Sequence, residues 1–243
     1  MPLRLTACLC AAAMLLFGAM AQSAAPAAGR WQAVLAGGDI AEPVFDNAVA
    51  AFSQFLAARG VPPGDIHRLS ASRTPRDVTA EPTSAAQLLR RIALLPGRQG
   101  DNCLVFITSH GEHGRGVFLA YAGEILTPAA LADALSIGCG KVPTVVIVSS
   151  CYSGSFAAGP MLAPNRIIMT AARADRPSFG CQADRTYTVF DECLLAALPR
   201  ARLWRGVFDL SLACVRQREQ EMRVLPSEPR HFFGDRVRDL PVP

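Results

Sequence analysis

A three-layer α/β sandwich around a mainly parallel central sheet of about six strands is the fold this sequence predicts. Three observations carry that expectation. Strand and helix signals alternate along the chain, the pattern of a sheet covered on both faces by crossover helices. Two apolar runs, at 103–108 and 144–149, lack the polar alternation of a half-exposed strand and read as central strands buried on both sides. No internal repeat or long linker interrupts residues 31–243, so they form a single domain.

The elements follow in chain order. Arg4 opens a short basic start, residues 5–17 are apolar, and Ala19-Met20-Ala21 fits a small-x-small cleavage pattern. Residues 1–21 therefore read as a cleaved secretory signal peptide, followed by a flexible Ala/Pro-rich segment at 22–30. The apolar run is short for a membrane span and no second long one follows, so no stable membrane insertion is expected after cleavage. The mature chain is expected in the periplasm or secreted.

The first strand is read at 31–36, and a helix at 45–59 places Val49, Phe52, Phe55 and Leu56 on one face before Gly60 stops it. A short strand at 65–69 leads into a polar loop at 70–82, and Thr83 or Ser84 can cap a helix running through Leu94. After the strand at 103–108 comes a glycine-rich loop at 110–116, then a small hairpin turning at Ala122-Gly123. Thr127-Pro128 starts a helix in the favoured order of cap then proline. Further strands are read at 144–149 and 166–170, helices within 190–198 and 207–222, and a last short strand at 230–233.

Composition narrows the function classes. Of 243 residues, 24 are Lys or Arg and 20 are Asp or Glu, and the excess of four positive charges is spread along the chain without a basic block. With no Arg/Lys stripe interleaved with aromatics, nucleic-acid binding is not indicated. Cys103, Cys139, Cys151, Cys181, Cys193 and Cys214 remain in the mature chain. An oxidising compartment permits pairing, and Cys103, opening one strand, and Cys139, preceding the next, are the candidate bridge. No CxxC spacing supports a zinc ribbon, and His110 with His113 finds no further ligand at metal spacing, so neither metal nor cofactor is expected.

One pair of strand ends carries chemistry. The strand ending at Thr108 runs into Ser109-His110-Gly111, and the strand ending at Ser149 runs into Ser150-Cys151-Tyr152-Ser153-Gly154. Consecutive strands joined by a helical crossover lie side by side and parallel, so their carboxyl ends share one rim, where ligands bind in open α/β sheets. Taken alone, Cys151 reads as one more small core residue. Beside His110 it becomes a candidate nucleophile with a proton carrier at hand. The N–H groups of Gly111 and Cys151 are the natural oxyanion donors, and Gly154 permits a tight turn after the thiol. Ser153 does not fit a Gly-x-Ser-x-Gly elbow.

An apolar strand ending in His-Gly, about forty residues, and an apolar strand ending in Cys-x-Ser-Gly resemble the legumain family of cysteine peptidases. Ser109-His110-Gly111-Glu112 is similar to caspases, and residues 169–178, MTAARADRPS, are similar to the legumain-type segment after the nucleophile. The resemblance implies a caspase-like fold and a cysteine endopeptidase acting on protein or peptide substrates, with Cys151 forming the acyl-enzyme and His110 handling the proton. It also implies alternatives: a transamidase on the same dyad, or a catalytically silent caspase-like binding scaffold. Legumains carry an acid directly after the nucleophile, where Tyr152 stands here, and an Asn and an Arg after the first strand that residues 37–45 lack. Asparaginyl specificity therefore does not transfer. Asp39, Tyr152 and Asp191 are the expected residues of the substrate pocket or of histidine orientation. The oligomeric state is not legible in the sequence.

Overall fold

The computed structural model describes residues 29–41, 43–75, 77–95, 97–182 and 184–243. The signal peptide read at 1–21, and the Ala/Pro-rich segment through residue 28, lie outside the described residues. The chain runs β1 (Trp31–Gly37), α1 (Val44–Ala58), β2 (Ile66–Ser70), β3 (Glu81–Pro82) and α2 (Ala85–Ala93). It continues through β4 (Asn102–Thr108), β5 (Gly111–Glu112), β6 (Gly116–Leu119), β7 (Glu124–Leu126) and α3 (Pro128–Gly138). Last come β8 (Thr144–Ser149), β9 (Arg166–Thr170), α4 (Val189–Ala197), α5 (Trp204–Met222) and β10 (Arg230–Phe233).

Seven strands form the main sheet in the order β10-β9-β8-β4-β1-β2-β3. All neighbours are parallel except β10, which returns antiparallel against β9. The sheet has one strand more than the six expected, because Glu81–Pro82, inside the segment read as a loop, pairs with Leu69 and Ser70. Proline is tolerated there because an outermost strand leaves one side of its backbone unpaired. The glycine-rich loop likewise holds β5, which joins β6 and β7 in a separate antiparallel sheet.

Period-two alternation divides the core between the two faces. Leu104 and Phe106 of β4, with Val145 and Ile147 of β8, pack toward α1, α4 and α5. Cys103, Val105 and Ile107, with Val146 and Val148, pack toward α2 and α3. The central strands have side chains buried on both faces, which explains their unbroken apolar runs. Phe52 of α1 and Phe106 of β4 are fully buried and meet edge to face, ring centroids 5.2 Å apart, so helix and sheet lock directly. Thr127 and Ser84 cap their helices by accepting Ala130 N–H and Gln87 N–H, resolving the choice between Thr83 and Ser84.

Two disulfides support this frame. Cys103 joins Cys139, tying the start of β4 to the end of α3. Cys193 joins Cys214, tying α4 to α5, a pairing that sequence spacing alone does not reveal. Cys151 and Cys181 remain free thiols.

Candidate active site

Strand register brings the two motif residues to one place. β4 and β8 pair from Cys103 opposite Thr144 to Thr108 opposite Ser149, a constant offset of 41 positions. Ser109 N–H then donates to Ser149 O at 3.1 Å, extending the ladder by one step. His110 and Cys151 each follow two residues beyond the Thr108–Ser149 pair, where the chain leaves the sheet. They line one small cleft together with Phe45, Ser149, Ser178 and Cys181.

Beyond Thr108 the chain is handed from the main sheet to the small one. Ser109 Oγ donates to Phe118 O at 2.6 Å, and Phe118 N–H donates to His110 O at 2.9 Å. Gly111 pairs with Val117, one step along from that bonded pair. The alternation of an antiparallel ladder therefore turns Gly111 N–H away from β6. Gly111 is required for a stricter reason than approach to a substrate: a Cβ there would overlap the Cys151 carbonyl oxygen. The two motif segments touch backbone to backbone.

The imidazole of His110 is partly exposed and meets the buried Phe45 ring edge-on, centroids 5.2 Å apart. Its Nε2 lies 4.0 Å from Asp39 Oδ2, within reach of charge pairing but longer than a hydrogen bond. Asp39 Oδ1 accepts Ala41 N–H at 2.8 Å, which fixes the carboxylate at the end of β1. Asp39 thus stands beside the histidine.

Cys151 is half-buried, and its sulfur is bracketed by one backbone residue: it accepts Ser178 N–H at 3.3 Å and lies 3.4 Å from Ser178 O. Tyr152 then takes left-handed backbone angles, φ 58° and ψ 15°, an uncommon state for a bulky residue, at a cost of about 1–2 kcal/mol. Its N–H donates to Arg176 O at 2.8 Å, which holds that conformation. The Tyr152 ring leaves the cleft and meets exposed His113 edge-on, centroids 5.1 Å apart. Gly154 does not take left-handed angles. Instead it lets the turn over Ser153–Ala157 pack onto the chain after β9, where a Cβ would come within 2.5 Å of Ala174 N. Ser153 is buried, and its Oγ accepts Ala172 N–H at 3.1 Å.

The segment after β9, read from sequence as a third motif, has a structural task. Ala171 N–H bonds Val148 O at 3.1 Å, Ala172 bonds Ser153, Arg176 O holds Tyr152, and Ser178 holds the thiol. Arg173 anchors the segment by pairing with Asp175 and with Glu228, the latter at 2.7 Å. Ser178 closes that motif, whereas Phe45 and Cys181 are site residues that motif reading passed over. Cys181 carried a signal, a second thiol shortly after the motif; Phe45 was read only as the start of a helix.

Asp191, expected as a pocket acid, is a correction: it is fully buried and does not line the cleft. It sits in the first turn of α4, where its Oδ2 accepts Thr108 Oγ1 at 2.6 Å and its N–H donates to the capping Thr188 Oγ1 at 3.1 Å. Burial pushes its carboxyl up to about 6, against the partial relief of those hydroxyl contacts. A larger cavity of about 450 Å³ lies between α1 and the chain after β2, away from the thiol. Its acids are engaged: Asp46 accepts Ser70 Oγ at 2.7 Å and Asp77 pairs with Arg68 at 2.9 Å. Among the described residues no group of three or more His, Cys, Asp or Glu could hold a metal ion, and no helix is long and apolar enough to cross a membrane.

The chain is similar to known proteins in sequence and in fold. The model of the peptidase C13 family, the legumain family, matches residues 85–200, a span holding both His110 and Cys151. Among solved structures the chain is similar to caspase-1 from Spodoptera frugiperda, with a TM-score of 0.60 at 15% identity. That match covers 85% of this chain and 87% of the caspase chain, and it speaks to fold. Comparison with curated protein sequences gives no match. Motifs and family model support a cysteine peptidase of legumain type, and the architecture is caspase-like.

Proposed function

We propose that the chain is an exported cysteine endopeptidase that hydrolyses peptide bonds of protein or peptide substrates in the periplasm or outside the cell. The observation that carries the reading is the shared register: His110 and Cys151 follow the same strand pair by the same two residues and line one cleft. The Cys151 thiolate attacks the scissile carbonyl carbon, and the carbonyl electrons move onto oxygen. Gly111 N–H, turned away from β6, and Cys151 N–H receive that oxyanion, each such donor supplying about 3 kcal/mol. His110 gives its proton to the departing amine, leaving a thioester on Cys151. A water, deprotonated by His110, then releases the acid and restores the thiol. Asp39 Oδ2, 4.0 Å from Nε2, faces the imidazole from the end of β1. Export rests on the signal pattern at 1–21, and the mass of the chain recovered outside the cytoplasm, starting near Gln22, tests it.

The chemical test is cleavage of a positional peptide library, with products read by mass in the presence of an added amine. The reading predicts internal cleavage with free carboxylate ends, and loss of all cleavage in Cys151→Ala and in His110→Ala. Products carrying the added amine in place of water would make the enzyme a transamidase. Cleavage persisting in Cys151→Ala would remove the nucleophile.

A further inference from the structure

Six cysteines lie among the described residues; four are bridged, and the two left free, Cys151 and Cys181, line the same cleft. Cys181 lies between β9 and α4 in a stretch with no helix or strand among its described residues. Three residues before it, the backbone of Ser178 already brackets the Cys151 sulfur at 3.3 and 3.4 Å. Both thiols are partly exposed, whereas Cys103, Cys139 and Cys193 are 0–1% exposed. Reactive thiols are the accessible ones, and an accessible disulfide is the labile one. From these placements we propose that Cys151 and Cys181 form a reversible disulfide, so that the cleft is a modification site for small disulfides and closes over its own nucleophile. The proposal rests on the reading of Cys151 as nucleophile.

The exchange balances with a small disulfide as oxidant. The Cys151 thiolate attacks one sulfur of glutathione disulfide, forming a mixed disulfide and releasing one glutathione thiolate. The Cys181 thiolate then attacks the Cys151 sulfur and displaces the second glutathione thiolate. Two protein thiols become one disulfide, one glutathione disulfide becomes two glutathione thiols, and the two cysteine protons pass to the departing thiolates. Bridging requires the two Cα atoms to lie within about 4.4–6.8 Å, and Cys181, outside the sheet and its helices, is the partner placed to adjust. A nucleophile bonded this way cannot attack a carbonyl, and it is also shielded from irreversible over-oxidation.

The test uses the mature chain with both cleft thiols reduced, treated with glutathione disulfide. Expected are a Cys151–Cys181 crosslink in the non-reducing peptide map, two alkylatable thiols falling to none, and loss of peptide hydrolysis in proportion to crosslinking. A mild dithiol should restore hydrolysis while the two structural bridges stay closed. Cys181→Ser should instead retain glutathione on Cys151. Retention of glutathione on Cys151 in the wild-type chain, with Cys181 still alkylatable, overturns the proposal. A chain that hydrolyses peptides but never crosslinks does the same and leaves the peptidase reading standing. A chain that crosslinks yet never hydrolyses supports the thiol pairing and overturns the peptidase reading.

Discussion

The two ends of the β4–β8 pair treat cysteine in opposite ways. At the amino end Cys103, fully enclosed, is bridged to Cys139, and the strands begin against a covalent tie. At the carboxyl end Cys151 stands half-buried and reduced, its sulfur held by the Ser178 backbone and its neighbour Tyr152 forced into left-handed angles. The same residue type serves as structure where side chains close around it and as candidate chemistry where the strand runs out onto a rim. What separates the two roles is position in the sheet, since parallel strands direct their carboxyl ends toward one shared edge.

That contrast can be broken from either end. The largest effect is expected at the amino end. Replacing Cys103 and Cys139 together by Ala opens a bridge spanning 36 positions, and loop-closure entropy puts the loss near 4 kcal/mol of folding stability. Denaturant unfolding reads that loss, and the rate of peptide cleavage by the folded fraction should not change. A rate that falls with the bridge would mean the two ends are not independent. Next is Gly111→Ala, whose methyl group would overlap the Cys151 carbonyl and push the rims apart. Displacement of that order costs roughly a hundredfold in rate, measured by peptide cleavage on a chain whose circular dichroism is unchanged.

The smallest effect belongs to Asp191, buried against the last residues of β4 and β8 at the carboxyl end. Because its native carboxyl is raised to about 6, the folded chain binds a proton more tightly than the unfolded one. Its contribution therefore falls as pH rises from about 4 to about 6 and is level above that. Asp191→Asn should remove that fall, gaining stability over the native chain on the order of 2 kcal/mol at pH 7 and little at pH 4. Urea midpoints of the two chains at both pH values measure the difference. An equal difference at both would show that the carboxyl's charge is not what the interior opposes.

How much of this was legible in the sequence follows from how local each cause is. The β8, β9 and β10 spans could be read directly, because their apolar runs end at Ser, Thr or Gly. The alignment of His110 with Cys151 was legible too, since a helical crossover implies parallel neighbours. The two-residue strand β3 was not, because its pairing depends on β2 rather than on its own composition. Asp191 was misplaced for a similar reason: its place in the sequence says nothing of burial, which α4 imposes by turning the carboxyl under Thr108. Gly154 does lie in the tight turn the sequence suggests, but the need for glycine there comes from contact with the chain after β9. Tyr152 was singled out because it departs from the legumain pattern. Its structural meaning, a bulky residue held in left-handed angles by Arg176 O, is a tertiary property that motif comparison does not contain.

The central claim is that the carboxyl-end thiol is the nucleophile and the histidine beside it is its proton carrier. The most direct measurement is to trap the mature chain with a peptidyl thiol-reactive substrate analogue and map the adduct by mass. One adduct per chain is expected, on Cys151 and not on Cys181, absent in Cys151→Ala and formed far more slowly in His110→Ala. An adduct that forms equally fast in His110→Ala, or that moves to Cys181 with cleavage intact in Cys151→Ala, would contradict it.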